Sequence, residues 1–303
     1  MSLLYWLESI RIPAITEMML LLTHLGEESA FLVTAIIVFW CVSKKRGYYI
    51  MTIGFLGTVV NQFLKMWFRV LRPWELHENF TAVEAAKAEA TGFSFPSGHT
   101  QNSVGTFGAL AYTAKHKWSR ILSLVIVAIV PFSRMYLGVH TPQDVGVSIV
   151  IAVGLVLFIH PIIFSDSKKR MVVLLCGMVV LCLGYLCFVH LYDFPTVVNA
   201  ERLASGYKNG YTLIGALIGM LLVYIVDEKW LNFQTKAVWW AQIMKVSIGL
   251  LLVLLVKSGT KEVLNMAFGE SVGRLVRYFL MVVTAGVIWP LSFKWFSQLG
   301  NKE

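Results

Sequence analysis

The chain has 303 residues, of which 57% are hydrophobic and only 14% are charged, and its mean hydropathy is +0.69. A soluble domain carries about 25% charged residues, so this composition excludes a disordered chain and almost any ordinary soluble enzyme. The net charge of +9 comes from basic residues that lie mainly between apolar runs, which is typical of membrane topology and not of nucleic-acid binding.

The first predicted element is an N-terminal membrane-interface segment over residues 1–26. Apolar residues there are mixed with Glu8, Arg11 and Glu17, and Pro13 interrupts the pattern. Such a mixture is typical of an interfacial helix and not of a membrane span. The segment has neither the basic start nor the small-residue cleavage site of a removable signal peptide.

Apolar segments of membrane length follow one another through the rest of the chain. They predict an all-α, multi-pass integral membrane helical bundle, because only helices of this length satisfy their own backbone inside a bilayer. We expect about nine spans, near residues 27–43, 48–68, 98–114, 120–138, 143–164, 171–191, 209–227, 236–257 and 275–296.

Basic residues are concentrated in the connections on one side of these spans. These connections are 44–46, 115–120, 168–170, the 227–236 link and the C-terminal tail. By the positive-inside rule, that side is cytoplasmic. The alternate loops then face the cell exterior or a lumen, and they lie near 69–97, 134–142, 192–208 and 258–274. This topology places the N-terminus outside and the C-terminus inside.

The longest of the outward-facing loops covers residues 69–97. Within it, Thr81 and Glu84 have the spacing of a capping box, an alanine-rich stretch follows, and Gly92 comes after it. The loop is therefore predicted to contain a short helix that begins near Thr81 and ends near Gly92. This helix is either a simple surface cover or a lid, and the sequence leaves both interpretations open.

Two further patterns are explained by packing inside the membrane. The four cysteines all lie inside apolar runs, without a CxxC pair, and are interpreted as small buried hydrophobic residues and not as zinc ligands: Cys41, Cys176, Cys182 and Cys187. Gly215 and Gly219 form a GxxxG pair in an apolar helix, which predicts a helix-packing contact within the chain or between chains.

Three cations follow one another at the end of the second predicted span, in the segment KMWFRVLRP. The spacing of four and three residues between Lys65, Arg69 and Arg72 predicts that they share one face of a helix. The three cations lack an obvious acidic partner at helical spacing, so their charges favour the binding of an anion. The alternative is a set of side chains that snorkel from the membrane towards water.

Pro96, Ser97, Gly98 and His99 stand immediately before the third predicted span. Pro96 and Ser97 are typical of a helix start, where unsatisfied backbone N–H groups favour an anion. Gly98 lets the backbone approach a ligand closely, and His99 can give or take a proton near neutral pH. The alternative is an ordinary N-cap without a ligand.

The third cluster contains Arg134, His140, Thr141 and Asp144, between the fourth and fifth predicted spans. Thr141 and Asp144 have the spacing of a capping box, which alone would explain Asp144. Alternatively, Asp144 reaches the ring of His140, fixes its tautomer and leaves the other ring nitrogen free to attack. Arg134 offers a planar fork of donors for a phosphate. Both interpretations of Asp144 stay open.

Together, the three clusters resemble the three-part signature of the type 2 phosphatidic acid phosphatase family. The residues that carry the resemblance are Lys65-x6-Arg72-Pro73, Pro96-Ser97-Gly98-His99 and Ser133-Arg134-x5-His140-x3-Asp144. Every signature position is filled, in the family's order. The resemblance implies a catalytic core at 27–165, which is preceded by the interface segment at 1–26 and followed by additional C-terminal transmembrane helices at 166–303.

The resemblance also implies a role for each signature residue. His140 would be the nucleophile that forms a phosphohistidine intermediate, Asp144 would orient it, and His99 would be the general acid for the leaving group. The phosphate-binding residues would be Lys65, Arg72, Ser97, Gly98 and Arg134. Family members need no metal and no other cofactor. Arg69 lies outside the signature and is a weak candidate for the phosphate site.

The implied substrate is a lipid phosphate, because a site at the outer membrane–water interface suits a head group whose tails stay in the bilayer. Phosphatidic acid, phosphatidylglycerol phosphate, polyprenyl diphosphate and sphingoid-base phosphates all qualify. The site would face the extracytoplasmic side, which is a periplasm, the cell exterior or an organelle lumen. Membrane lipids are therefore the expected partners, nucleic acid is not expected, and the oligomeric state stays open.

Three alternatives accompany this interpretation. About nine spans with an outer N-terminus resemble the glucose-6-phosphatase branch, whose substrate is a soluble sugar phosphate. The soluble vanadium haloperoxidases carry a similar constellation, which implies inhibition by vanadate, but the apolar composition argues against that branch. The third alternative is a transporter or a non-catalytic binding relative, which could lose His140 whereas an enzyme could not.

Overall fold

The computed structural model describes residues 1–165, 167–195 and 198–299. These residues form α-helices, short 3-10 and π-helical segments and loops, and the described part contains no β-strand. The all-α prediction is therefore confirmed.

The α-helices are α1 (Ser2–Ser9), α2 (Pro13–Thr23), α3 (Glu28–Ile37), α4 (Lys44–Phe68), α5 (Pro73–Leu76), α6 (Glu84–Glu89), α7 (Gly98–Thr113), α8 (Lys117–Tyr136), α9 (Pro142–Ile163), α10 (Lys168–Leu191), α11 (Ala200–Val226), α12 (Trp239–Gly259), α13 (Lys261–Val283) and α14 (Phe293–Gln298). The 3-10 helices are His24–Gly26 and Trp289–Ser292, and the π-helical segments are Val38–Val42, Asp227–Leu231 and Thr284–Ile288. Pro13 begins α2, so the predicted interruption of the N-terminal segment is present.

Among the described residues, six helices are long and apolar enough to cross a membrane, which makes the chain a multi-pass membrane protein. They are Lys117–Tyr136, Pro142–Ile163, Lys168–Leu191, Ala200–Leu231, Trp239–Gly259 and Lys261–Gln298. A seventh span is present if Pro13–Gly26 and Glu28–Val42, which are bent by 54°, cross together. The interfacial position of the N-terminal segment stays a prediction.

Three of the nine predicted spans are not among these six helices. The predicted span near 27–43 corresponds to Glu28–Val42 of the bent pair, and those near 48–68 and 98–114 correspond to α4 and α7. α7 has only 16 residues and buries polar side chains such as Gln101 and Ser103, and α4 buries Asn61 and Lys65. Polar side chains lower the hydropathy of both helices, so the total of nine spans stays a prediction.

The described residues divide into two compact units. Unit 1 contains Met1–Thr34, Tyr49–Pro161 and Tyr192–Gly206, and unit 2 contains Ala35–Tyr48, Ile162–Leu191 and Tyr207–Glu303. The division of the chain into an interface segment (1–26), a catalytic core (27–165) and C-terminal helices (166–303) describes functional regions and not compact units, and it stays a prediction.

In unit 1, the N-terminal helices, the loop 69–97 and the end of α8 share a hydrophobic cluster. Its buried members are Leu4, Leu7, Met19, Phe80, Ala82, Ala86, Tyr136, Leu137 and Val139. Arg11 adds a hydrogen bond from Nε to the carbonyl oxygen of Tyr136, at 2.9 Å. Burial of this apolar surface holds the loop against the segment that leads from α8 into α9.

The capping box predicted at Thr81 and Glu84 is not formed. Thr81 instead donates its backbone N–H to Oε1 of Glu8 at 2.9 Å, and Glu84 pairs with Lys87 at 2.6 Å. The helix α6 covers only Glu84–Glu89, with Val83 at its N-cap. The prediction was wrong because a carboxylate 73 residues away in sequence takes the Thr81 donors.

In unit 2, the GxxxG pair packs within the chain. A Cβ at Gly215 would lie 2.2 Å from the carbonyl oxygen of Leu275, and one at Gly219 would lie 2.9 Å from Cβ of Val282. The small residues therefore let α11 and α13 approach closely, as predicted.

The cysteines differ in burial. Cys182 is buried in the protein and Cys41 is half-buried, whereas Cys176 and Cys187 are exposed on α10. The predicted burial was therefore wrong for Cys176 and Cys187, because helical periodicity places them on the outer face of an apolar helix.

Candidate active site

The predicted site residues all lie in unit 1, at the ends of four long helices and in the loop after α4. They are Lys65, Arg72, Ser97, Gly98, His99, Arg134, His140 and Asp144. The charges of Lys65, Arg72, His99 and Arg134 all act on the imidazole of His140. The backbone N–H of Ser97 donates to the carbonyl oxygen of Asp144 at 3.2 Å, which ties the start of α7 to the start of α9. The fold therefore brings the three sequence clusters together.

His140 and Asp144 form the buried centre of this group. Nδ1 of His140 lies 3.4 Å from Oδ2 of Asp144, and both side chains are only 2% exposed. The same Oδ2 accepts hydrogen bonds from the Thr141 backbone N–H at 2.7 Å and from the Ser94 hydroxyl at 2.6 Å. The Asp144 N–H donates to the Thr141 hydroxyl at 3.2 Å. Asp144 thus completes the capping box and faces His140 at once, so its two interpretations are compatible.

The other ring nitrogen of His140 contacts a guanidinium. Nη1 of Arg72 lies 3.0 Å from Nε2 of His140. Because a guanidinium only donates, we assign Nε2 as the acceptor, which leaves the ring proton on Nδ1, towards Asp144. Burial and the positive charges of Arg72 and Arg134 hold the pKa of His140 well below its usual value. A neutral imidazole with its lone pair on Nε2 is the form that can attack phosphorus.

Arg72 is buried and anchored by main-chain carbonyl groups. Nε donates to Gly92 at 3.2 Å, Nη2 to Thr91 at 3.1 Å and Nη1 to Val139 at 3.0 Å. Burial lowers the pKa of this guanidinium to about 10, so Arg72 is still charged at neutral pH. The loop 69–97 therefore fixes a full positive charge beside His140.

The shared helix face predicted for Lys65, Arg69 and Arg72 is not formed. α4 ends at Phe68, and Arg69 has the left-handed φ of 53°, so Arg72 lies beyond the helix. Arg69 turns away from the two other cations, with its guanidinium 5.7 Å from the centre of the Tyr192 ring. The prediction was wrong because a spacing rule holds only while the helix continues.

Lys65 and Arg134 bring two more buried cations to the site. Nζ of Lys65 donates to the carbonyl oxygen of Phe93, and Nη1 of Arg134 donates to the Thr23 hydroxyl at 2.9 Å. Within the described part of the chain, no hydrogen-bond partner is found for Nε of Arg134 or for the buried Nε2 of His99. Buried polar atoms without a partner are costly, and phosphate oxygens would satisfy a donor at either position.

Ser97 and Gly98 form the start of α7. The Ser97 hydroxyl accepts from the Thr100 N–H at 3.3 Å, so it serves as an N-cap, as its alternative interpretation predicts. A Cβ at Gly98 would meet only Oδ1 of Asn61, at 3.9 Å. The glycine therefore leaves open space at the helix start, where backbone N–H groups could approach an anion.

Gly138 shapes the turn that carries His140. Its φ is +79°, and a Cβ there would lie 2.9 Å from the Phe80 ring and 3.1 Å from Cα of Ala82. A side chain at this position would be strained and would collide with the loop 69–97. The turn and the loop thus fit together only with glycine.

Sequence reasoning missed two residues that support the site, Ser94 and Thr23. Ser94 is fully buried and donates to Asp144, and Thr23 accepts from Arg134. Neither residue belongs to a motif, and Ser94 is 50 residues from its partner. No local pattern could have identified them, because each contact depends on the folded loop or on the N-terminal helices.

A separate group could hold a metal ion. The ligand atoms of His24, Glu27 and Glu89 all lie within 4.8 Å of one another. None of these three residues belongs to the predicted catalytic set.

Comparison with known proteins identifies two matching family models. A model described as the PAP2 superfamily matches residues 46–168, which include every predicted catalytic and phosphate-binding residue. A second model, described as the transmembrane extension of PAP2 superfamily phosphatases, matches residues 211–302.

Two curated proteins are similar to part of the chain. Phosphatidylglycerophosphatase B of Bacillus subtilis is 32% identical over 176 residues, which cover 53% of this chain and 80% of that protein. Undecaprenyl-diphosphatase of Sulfolobus acidocaldarius is 28% identical over 136 residues, which cover 45% of this chain and 64% of that protein. No solved structure matches the chain.

Proposed function

The chain belongs to the PAP2 superfamily of phosphatases, and we propose that it hydrolyses the phosphomonoester or diphosphate of a membrane lipid through a phosphohistidine intermediate. The observation that carries the proposal is the position of His140 between Asp144 on Nδ1 and Arg72 on Nε2. This arrangement leaves a neutral, oriented nitrogen nucleophile next to a fixed cation.

In the first step, Nε2 of His140 attacks phosphorus, and the bond between phosphorus and the lipid oxygen breaks. His99 gives a proton to the departing oxygen. The product that leaves is the lipid alcohol from a phosphomonoester, or the lipid monophosphate from a diphosphate. Asp144 stabilises the charge that develops on the imidazole ring, since it faces Nδ1. The phosphoryl group is then bound to Nε2.

In the second step, water attacks the phosphoryl group and the N–P bond breaks. His99 takes a proton from this water, which restores the protonated form that it needs for the next cycle. Inorganic phosphate leaves, and His140 returns to its neutral form. No step in this sequence requires a metal ion.

Lys65, Arg72 and Arg134 would hold the phosphate oxygens, together with the start of α7 at Ser97 and Gly98. Three buried cations and a helix N-terminus stabilise the extra negative charge of the transition state in a region with little water. The negative charge of a bound phosphate also favours protonation of His99 before the first step.

A lipid substrate is supported by the relatives and by the composition. The two similar curated proteins are named for phosphatidylglycerol phosphate and for undecaprenyl diphosphate. A multi-pass membrane protein can present its site to a head group whose tails remain in the bilayer. Residues 27–165 would supply the catalytic core, and most of 166–303 would add membrane helices.

We place the site on the extracytoplasmic face, because the basic connections at 44–46, 115–120 and 168–170 mark the opposite side as cytoplasmic. A membrane-impermeant maleimide tests this topology on a background without the native cysteines. A cysteine at the exposed Glu78 should react in intact cells, and one at the exposed Lys117 should react only after lysis. The reverse pattern would place the site inside.

Phosphate release by the purified protein in detergent, with EDTA present, tests the activity. The substrates are phosphatidic acid, phosphatidylglycerol phosphate, undecaprenyl diphosphate, sphingosine phosphate and glucose 6-phosphate, and His140→Ala is the blank. We expect release from at least one lipid and none in the blank. Release from glucose 6-phosphate alone would refute a lipid substrate, and no release from any substrate would contradict the proposed function.

A further inference from the structure

One arginine from outside both matched family regions reaches the loop 69–97, where it contacts Glu75 and Phe93. Arg202 lies in the first turn of α11, after residue 168 and before residue 211. The segment Tyr192–Gly206 belongs to unit 1, together with all of the candidate site residues. The Arg202 side chain is only 16% exposed, so it is packed against its neighbours.

The first contact of Arg202 leads to Arg72 through Glu75. Nη2 of Arg202 pairs with Oε1 of Glu75. The other oxygen, Oε2, accepts a hydrogen bond from the backbone N–H of Arg72 at 2.9 Å. Glu75 therefore uses its two carboxylate oxygens for two different partners. Arg202 fixes the carboxylate that holds the main chain of Arg72 at the start of α5.

The second contact of Arg202 leads to Lys65 through Phe93. The guanidinium carbon of Arg202 lies 4.9 Å from the centre of the Phe93 ring. The carbonyl oxygen of the same Phe93 accepts the hydrogen bond from Nζ of Lys65. One side chain thus braces the two main-chain segments that hold two of the phosphate-binding cations.

We propose that Arg202 is a positioning residue for the phosphate site, which acts through Glu75 on Arg72 and through Phe93 on Lys65. The proposal rests on the proposed function, because it assumes that these two cations bind the phosphoryl group. For attack, Nη1 of Arg72 must move from Nε2 of His140 to a phosphate oxygen. Nη1 can move from the imidazole to a defined phosphate position only if the main chain of Arg72 stays in place.

Replacement of Arg202 by Gln tests the proposal. We expect kcat/KM for the best lipid substrate to fall about tenfold and the inhibition constant of orthovanadate, a phosphate mimic, to rise by a similar factor. Arg274→Gln is the matched control, because Arg274 forms an Arg–Glu pair with Glu270 at 3.1 Å in unit 2. The control should change both constants by less than about twofold.

A charge reversal separates positioning from simple ion pairing. The double variant Arg202→Glu with Glu75→Arg can form the ion pair again, in the opposite sense. It cannot restore the acceptor for the Arg72 N–H, since an arginine side chain has no acceptor. We therefore expect the thermal midpoint of the double variant to recover while its kcat/KM stays as low as that of Arg202→Gln.

Three results would overturn the inference. If both kcat/KM and the inhibition constant of orthovanadate in Arg202→Gln stay within twofold of the wild-type values, Arg202 does not position the site. If the double variant recovers full turnover, the Arg202–Glu75 ion pair has only a structural role. Should Arg202→Gln fail to fold, Arg202→Met keeps an apolar stem of similar length but loses the charge, and wild-type constants for it would equally refute the inference. A wild-type protein that neither releases phosphate from any lipid nor binds orthovanadate would instead overturn the proposed function, and this inference with it.

Discussion

Arg72 donates a hydrogen bond from Nη1 to Nε2 of His140 at a distance of 3.0 Å. The lone pair that would attack phosphorus is therefore already engaged by the cation that would bind the phosphate. In the proposed mechanism, substrate binding would transfer this donor from the imidazole to a phosphate oxygen, which would free the nucleophile when phosphorus is in place. The same guanidinium would thus first engage His140 and afterwards stabilise the charge of the phosphoryl group.

Replacement of His140 by Ala should abolish turnover, because His140 is the proposed nucleophile. We expect a loss of at least about 10⁴-fold in kcat with little change in the thermal midpoint. The control is His116→Ala, which removes an exposed imidazole next to α8. Phosphate release by a folded His140→Ala protein would refute the assignment of the nucleophile.

Replacement of Asp144 by Asn should slow hydrolysis by about 10²- to 10⁴-fold. The amide oxygen of Asn can still accept the hydrogen bonds from Ser94 and Thr141, but the side chain lacks the negative charge that would stabilise the imidazolium. Its NH2 group can also face the proton on Nδ1, where a donor cannot form a hydrogen bond. Activity and the thermal midpoint are measured together. A large drop in the thermal midpoint together with the loss of activity would show that Asp144 serves mainly as a helix cap.

Replacement of Ser94 should lower kcat/KM less than replacement of Asp144 does, because Ser94 supplies only one of several hydrogen bonds to the Asp144 carboxylate. We expect Ser94→Ala to lower kcat/KM by about tenfold, as is typical of a residue that orients a catalytic group. The comparison is Ser103→Ala, since Ser103 is also fully buried but lies outside the signature, and its hydroxyl donates to the carbonyl oxygen of Thr100. Equal effects of the two substitutions would argue against a role for Ser94 in orienting Asp144.

Replacement of Arg72 by Lys keeps the charge but removes the planar fork of donors. A lysine cannot reach the carbonyl groups of Thr91, Gly92 and Val139 and the His140 ring together. We expect kcat/KM to fall about 100-fold and orthovanadate to inhibit more weakly. Wild-type constants in this variant would mean that only the charge of Arg72 matters.

The stability of the protein should depend on pH through His140. Burial and the charges of Arg72 and Arg134 hold its pKa well below the usual value in the folded state, whereas the pKa of the unfolded chain is about 6.5. Below about pH 6.5, the unfolded chain therefore binds a proton that the folded protein does not, and stability falls as the pH falls.

We expect the thermal midpoint in detergent to drop more steeply from about pH 7 to about pH 5 in the wild type than in His140→Gln, which lacks this group. All other histidines are common to both proteins, so the difference between the two curves isolates His140. Parallel curves would show that folding does not lower the pKa of His140.

Several features of the structure depend on neighbours within one helical turn, and these were predictable. The capping box joins Thr141 and Asp144, which are only three positions apart, the N-cap at Ser97 needs only the next turn, and the apolar spans follow from composition. The close packing at Gly215 and Gly219 also follows from their spacing, although the sequence did not identify α13 as the partner.

By itself, the sequence determined that this is an all-α membrane protein with three polar clusters at its helix ends. Only the tertiary structure decided that α4 ends before Arg69, that Glu8 takes the donors of Thr81, that Ser94 contacts Asp144 and that Arg202 contacts Glu75. These contacts join residues 50 to 127 positions apart. The energy of such a contact appears only after the chain has folded, so no local spacing can encode it, whereas caps and helix periodicity are set by residues that are already neighbours along the chain.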